Sequence, residues 1–282
     1  MEWLTDPFEV GFVARALWGG LLVSVICGLA GTWVVLRGMA FMSDAMAHGM
    51  LPGVAIASLL GGSLLLGAAL STVAMTLGVT ALSRTSRLSQ DTGIGLLFVG
   101  MLSTGVIIVS HSQSFAVDLT GFLFGDVLAV RAGDLLLLAG ALALALLLTI
   151  VFHRSFVALA FDRRKAATLG LRPGLAHGVM VALLTLAIVA SFHVVGTLLV
   201  FGLLIAPPAA MALWADRIPA IMIGAAVIGG LATVGGLLIS WHLGTAAGAT
   251  IAAFAVACFF VSVLATLVRD RLRFTATPLK GH

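Results

Sequence analysis

The chain has 282 residues, of which 61% are hydrophobic and only 9% are charged, and its formal net charge is +4. Ordinary soluble domains carry about 25% charged residues, so this composition, with a mean hydropathy of +1.20, excludes a water-soluble globular protein. At about 20 residues a span, the length predicts a polytopic membrane protein of about eight to ten helices. We expect residues 1–282 to form one transmembrane domain. The basic excess then orients the chain in the lipid bilayer and does not indicate nucleic-acid binding.

Hydropathy predicts nine spans separated by short polar connectors. They are residues 12–36, 40–60, 63–82, 93–110, 135–152, 175–192, 194–213, 218–239 and 246–268. Residues 111–134 include four charged side chains in an apolar stretch too short to cross cleanly, so a re-entrant or interfacial segment is predicted. With this assignment the basic connectors share one side of the membrane, which the positive-inside tendency makes cytoplasmic. The N-terminus is then outside and the C-terminus is cytoplasmic.

The second span places ionisable side chains inside an apolar run. In a helix, Asp44 and His48 stand four residues apart on one face, about 6 Å from each other, so one cation could contact both. Pro52 lacks the N–H that would bond the His48 carbonyl, which loosens the helix and leaves that oxygen free. Ionisable residues are costly inside a membrane and are candidates for a functional site. The spacing therefore predicts metal ligands; the alternative is that the two side chains pair with each other or with a neighbouring helix.

The stretch from Ser43 to Gly53, S-D-A-M-A-H-G-M-L-P-G, resembles the signature of the zinc and manganese branch of bacterial ABC importer permeases. Four further blocks match in the same order: residues 91–95, 123–128, 161–163 and 195–200, the last leading to 208–210. Two departures are Gly49, where the family pattern has alanine, and His193, which the pattern does not require.

The resemblance implies an all-α, polytopic permease of the type II ABC importer kind in the bacterial cytoplasmic membrane. It also implies that two copies form the pathway at their interface. The partners it implies are a separate ATP-binding subunit and an extracellular metal-binding protein.

The most basic connector contains start and stop signals for a short helix. Asp162 can cap its first turn, Gly170 can close it, and Pro173 prevents its continuation. A helix of about seven residues is marginal alone in water, so a partner is expected to hold it. The resemblance identifies residues 162–170 as a coupling helix that docks on the ATPase, with Asp162 and Arg163 at its start and Ala166 and Gly170 at the matching small positions.

The chain has no G-x-x-x-x-G-K-[ST] phosphate loop, so we expect ATP to be hydrolysed on another chain and this one not to be an enzyme.

Imidazole with carboxylate suits zinc or manganese as a transported ion, and the absence of paired thiolates disfavours a copper-type site. Zinc is preferred over manganese because it accepts a small set of nitrogen and oxygen ligands. No permanently bound cofactor is expected. Further candidate ligands lie near the predicted outer ends of spans, although a structural hydrogen bond between helices is the alternative role for each. They are His111, Asp118, His193 and His242.

Three other functions are alternatives. An iron-chelate or cobalamin permease would need a wide apolar tunnel, and a proton-coupled secondary transporter would work without an ATPase. An intramembrane metalloenzyme would need a nucleophile and base grouping, which the sequence does not show.

Overall fold

The computed structural model describes residue 7 and residues 9–85, 89–111, 127–161 and 171–275. These residues form α-helices joined by short turns, with one 3₁₀ turn at Val127–Ala129 and no strand within the described ranges. The helices are α1 (Gly11–Leu36), α2 (Ala40–Gly49), α3 (Leu51–Leu59), α4 (Leu64–Thr85), α5 (Gln90–His111), α6 (Ala132–Phe161), α7 (Pro173–Ala212), α8 (Ile218–Leu243) and α9 (Ala247–Thr275). The predicted all-α fold is confirmed.

Among the residues that the structure describes, eight helical segments are long and apolar enough to cross a membrane. Two of them, α7a (Pro173–Phe192) and α7b (Val194–Ala212), belong to α7. Gly196 interrupts this helix with φ 76° and ψ 166°, a backbone conformation essentially restricted to glycine. The second predicted span, residues 40–60, is divided into the two short helices α2 and α3. Eight long spans and this broken pass agree with the predicted total of about nine.

α6 differs most from its predicted bounds. It continues to Phe161, although the prediction ended the span at residue 152 and placed His153 and Arg154 in a connector. The helix continues because Phe156 and Leu159 are buried against the core, and this burial stabilises about two more turns of helix. The predicted end of this span is therefore wrong.

α1 lies at the centre of the bundle and is buried for most of its length, as are α7a and α7b. Glycines let its backbone approach its neighbours closely. A Cβ added at Gly31 would overlap the Leu204 carbonyl oxygen, and one added at Gly28 would lie 3.0 Å from the Ala226 nitrogen. α1 therefore packs directly against α7b and α8.

Contacts along α1 show the direction of its neighbour α7b. A Cβ built on Gly19 would lie 3.4 Å from Val194 Cγ1, and Gly31 faces Leu204. Position along α1 thus increases together with position along α7b. The two segments run parallel.

α6 also runs parallel to α1. Arg15 Nε donates to the Val130 carbonyl at 2.9 Å, just before α6 begins, and the Trp33 and Phe156 ring centroids lie 5.2 Å apart near the other end. α6 therefore ends where α1 ends, whereas α7b begins nearer the start of α1. α7a, which connects them, crosses in the opposite direction.

The residues on both sides of the undescribed stretch 112–126 lie at one end of the bundle. Phe41 lies opposite Gly95, and Leu51 lies opposite Gly105, so α5 runs parallel to α2 and α3 and ends near the start of α1. α6 begins at this same end. Most of the stretch predicted not to cross, residues 111–134, lies outside the described residues, so this remains a prediction.

Charge is distributed unevenly between the two ends. The end where α1, α6 and α7b finish is here called the basic end, and the other the opposite end. Charged residues whose side chains are described at the basic end are Arg37, Arg154, Arg172, Arg217, Arg269 and Arg271, with Asp91, Asp216 and Asp270. Described charged residues near the opposite end are Glu9, Arg15, Arg131 and Asp134.

Candidate metal site

Asp44 and His48 meet on one face of α2. His48 Nε2 lies 3.5 Å from Asp44 Oδ1, and the side chains are 28% and 32% exposed, respectively. The other face of α2 is buried through Met42 and Met46. The pair therefore faces away from the core of its own chain, as the four-residue spacing predicted, and its atoms remain open to a ligand. The same contact is compatible with the alternative that the two side chains only pair with each other.

An aromatic side chain on α5 borders this pair. The His48 and Phe98 ring centroids are 5.8 Å apart with an interplanar angle of 63°, an edge-on arrangement favoured between such rings. Phe98 thus restricts the orientations open to the imidazole.

The helix breaks immediately after the pair. α2 ends at Gly49 and α3 begins at Leu51, with Pro52 in its first turn. The predicted loosening is confirmed, but the prediction of a free His48 carbonyl is wrong because the Met50 N–H bonds to it. Without an N–H at Pro52, the chain turns tightly at Met50, and that turn brings another donor to the carbonyl.

The next carbonyl is held by another helix. Ser71 Oγ on α4 donates to the Gly49 carbonyl oxygen at 2.7 Å in a buried position. Sequence reasoning missed both Ser71 and Phe98. A hydroxyl within an apolar span is a weak signal for Ser71, and no local pattern distinguishes Phe98 from other membrane phenylalanines.

The remaining candidate ligands lie elsewhere in the bundle. His193 lies between α7a and α7b, and its neighbour Val194 is level with Gly19 of α1. His111 is the last residue of α5, and His242 is exposed in the last turn of α8.

Asp118 lies outside the described residues. Within the described part of the chain, no group of three or more His, Cys, Asp or Glu side chains could hold a metal ion. Asp44 and His48 therefore form a two-residue candidate site.

The predicted coupling block also lies outside the described residues. Its named positions are Asp162, Arg163, Ala166 and Gly170. The helices on either side, α6 and α7a, end and begin at the basic end.

A separate apolar cavity of about 500 Å³, largely open to the outside of the bundle, lies between α4, α6 and α7a. Its lining consists of leucine, alanine, glycine and valine side chains with one hydroxyl, that of Thr185, which donates to the Val181 carbonyl at 3.0 Å. No charged group lines this cavity, so it offers nothing to coordinate a bare ion.

A bundle of helices long enough to cross a membrane, with a carboxylate and an imidazole paired beside a helix break, defines a polytopic membrane protein. The chain belongs to the ABC 3 transport family, whose family model matches residues 9–266. The recognition made from the sequence motifs is confirmed.

Individual relatives cover nearly the whole chain. The manganese transport system membrane protein MntC of Halalkalibacterium halodurans is 35% identical over 263 residues, which are 92% of this chain and 90% of the relative. The protein of Haemophilus influenzae named "Probable iron transport system membrane protein" is 34% identical over 271 residues, or 96% and 99% of the two chains. Among solved structures, PsaBC from Streptococcus pneumoniae in complex with Fab matches with a TM-score of 0.83 and 32% identity, covering 92% of this chain and 94% of that chain.

Proposed function

We propose that this chain is the permease subunit of an ATP-driven importer of a divalent transition metal, with manganese first and iron next. The observation that carries the proposal is the Asp44–His48 pair, placed beside a break in a membrane pass of an ABC 3 family chain. The sequence-based preference for zinc gains no support from the two curated relatives above, which are named for manganese and iron.

The pair suits transient binding. A carboxylate oxygen and an imidazole nitrogen are ligands for divalent transition metals. A structural zinc site is closed by four protein ligands, whereas two ligands leave positions for water or for the same pair of a second copy. An incomplete shell favours release, which transport requires. The partial exposure of both side chains leaves room for this completion.

The charge distribution supports a membrane orientation. We place the basic end in the cytoplasm according to the positive-inside tendency, in the bacterial cytoplasmic membrane. The N-terminus is then outside and the C-terminus inside. An extracellular metal-binding protein would deliver the ion at the opposite end, near His111 and His242, with Asp118 and His193 as further candidates for the transfer.

Energy would come from a separate ATP-binding subunit. Residues 162–170 are proposed as the coupling helix that contacts it. The support is positional, because the described helices on both sides of this block end at the proposed cytoplasmic face. Two copies of the permease would pair with two ATPase subunits.

The apolar cavity favours a second candidate function. Import of an iron chelate requires apolar volume more than ligands, and about 500 Å³ falls within the range of about 300–1,000 Å³ usual for small-molecule pockets. The two candidates make different predictions about the form of the metal that is transported.

Metal-resolved uptake tests the proposal. Cells with the complete importer are given radiolabelled manganese, iron or zinc as free ions, or iron as a chelate, beside cells whose ATPase carries an inactivated phosphate loop. We expect saturable uptake of free manganese that requires the active ATPase. Uptake of the chelate alone would favour the second candidate, and uptake that persists without ATP hydrolysis would favour a proton-coupled transporter.

A further inference from the structure

One face of α4 packs against the helix break that follows His48. Gly67, Ser71 and Met75 recur every four residues and therefore lie on one face. A Cβ at Gly53 would overlap the Gly67 carbonyl oxygen and lie 2.6 Å from Ser71 Cβ. A Cβ at Gly49 would lie 3.2 Å from Met75 Cγ. The backbone on both sides of the break thus rests directly on this face.

The hydroxyl of Ser71 differs from its neighbours on the same helix. Thr72 and Thr76 donate to carbonyls of α4 itself, those of Ala68 at 2.7 Å and Thr72 at 2.9 Å. Ser71 instead donates across to Gly49, and its side chain is only 8% exposed. Carbonyls at a helix end need partners from outside the helix, and a buried one in lipid has no bulk water to use. The bond therefore fixes the end of α2 to α4.

This bond acts next to the metal ligand. Gly49 directly follows His48, so the direction of the Gly49 carbonyl sets the orientation of the last turn of α2, from which the imidazole projects. Phe98 limits the ring from α5, and Ser71 limits the backbone from α4. In this arrangement His48 Nε2 lies 3.5 Å from Asp44 Oδ1.

We propose that Ser71 is a positioning residue of the metal site, which acts through the Gly49 carbonyl to keep His48 and Asp44 at the separation that one ion can bridge. The proposal rests on the proposed function, because it requires the pair to bind metal. Ser71 itself contributes no ligand.

Replacing the hydroxyl should weaken metal binding without removing the ligands. Ser71→Ala leaves the Gly49 carbonyl without its donor, and removal of a group that orients metal ligands typically costs about ten- to a hundredfold in metal affinity. We expect the dissociation constant for Mn²⁺ to rise by about that factor. Ser71→Thr keeps a hydroxyl and should bind close to the wild type. Thr76→Val removes a hydroxyl that serves only its own helix and is the matched control.

The experiment measures Mn²⁺ binding to the purified permease–ATPase complex by equilibrium dialysis, with the electron paramagnetic resonance spectrum of bound Mn²⁺ as a second readout. Only the monodisperse fraction of each variant is used. A purely structural role would lower the melting temperature and leave affinity and spectrum unchanged. If Ser71→Ala does not assemble, Ser71→Val and Ser71→Thr, which share a shape and differ in the hydroxyl, decide the question.

The outcomes separate the two proposals. Mn²⁺ binding is also measured for Asp44→Asn. If Asp44→Asn loses Mn²⁺ binding and Ser71→Ala binds normally, the positioning role is overturned while the proposed function stands. Equal affinity of the Val and Thr variants would also overturn it. Normal Mn²⁺ binding in Asp44→Asn would remove the metal site itself, and the role of Ser71 with it.

Discussion

The contact between α1 and α7b leads to a stability prediction for Gly31→Ala. The added Cβ would overlap the Leu204 carbonyl oxygen and lie 2.9 Å from its carbon and 3.0 Å from Pro208 Cγ, against about 3.4 Å for ordinary contact. These atoms belong to the backbone and to a ring, so they cannot rotate away. α1 must shift, and overpacking of this kind costs about 1–3 kcal/mol.

Gly140→Ala on α6 is the matched control, because a Cβ there meets nothing within 4 Å. Alanine favours a helix over glycine by about 1 kcal/mol at either position, so this gain cancels when the variants are compared. Gly31→Ala should therefore be less stable than Gly140→Ala by about 1–3 kcal/mol. For a chain near this size, 1 kcal/mol corresponds to about 2–4 °C in melting temperature.

Thermal unfolding of the detergent-solubilised protein, followed by loss of the monodisperse chromatographic peak, measures this difference. Equal melting temperatures for the two variants would show that α1 and α7b do not pack backbone to backbone. The central position of α1 would then be wrong.

Three further predictions concern other parts of the molecule. Gly196→Ala should lower stability by about 1–3 kcal/mol in the same melting assay, because its backbone conformation is unfavourable for alanine; unchanged melting would contradict the break in α7. Phe98→Leu keeps apolar bulk but removes the ring edge, which is worth about 0.5–1.5 kcal/mol, so Mn²⁺ affinity in the purified complex should fall about two- to tenfold, and an unchanged affinity would show that Phe98 does not orient His48. Gly170→Leu should uncouple ATP hydrolysis from uptake by disfavouring the ATPase contact by about 1–3 kcal/mol, and normal uptake with normal assembly would remove the coupling assignment.

Hydropathy predicted the spans well where an apolar run ends at a clear polar break. The first span was predicted at residues 12–36 and found at Gly11–Leu36, because Arg37 and Gly38 end both the apolar run and the helix. The end of α6 was predicted wrongly because the first basic side chains after residue 152 were taken to mark the end of the span. Long basic side chains extend their charged ends to the membrane interface, so Arg154 can be helical while Phe156 and Leu159 bind the core.

For the candidate site, local geometry was predictable and tertiary contacts were not. The meeting of Asp44 and His48 follows from a four-residue helical repeat. The contacts of Phe98 and Ser71 depend on how α5 and α4 pack against α2, which no local pattern encodes. The His48 carbonyl was wrongly predicted to be free. Pro52 lacks the N–H that would bond it, but the chain turns at Met50 and the Met50 N–H bonds the carbonyl instead.

The central claim is that Asp44 and His48 carry the transported ion, and uptake by two variants tests it most directly. Asp44→Asn keeps the shape and removes the charge, whereas His48→Ala removes the nitrogen donor. Asp134→Asn, in the first turn of α6, is the control for loss of a carboxylate outside the pair, because the asparagine oxygen can still accept the hydrogen bond from the Arg131 N–H.

Uptake of labelled manganese, iron and zinc is measured in cells with the complete importer, together with the amount of permease assembled with its ATPase. We predict that both pair variants lose metal uptake with assembly near normal, and that the control transports like the wild type. Wild-type rates in both pair variants would contradict the claim and show that the pair only holds helices together.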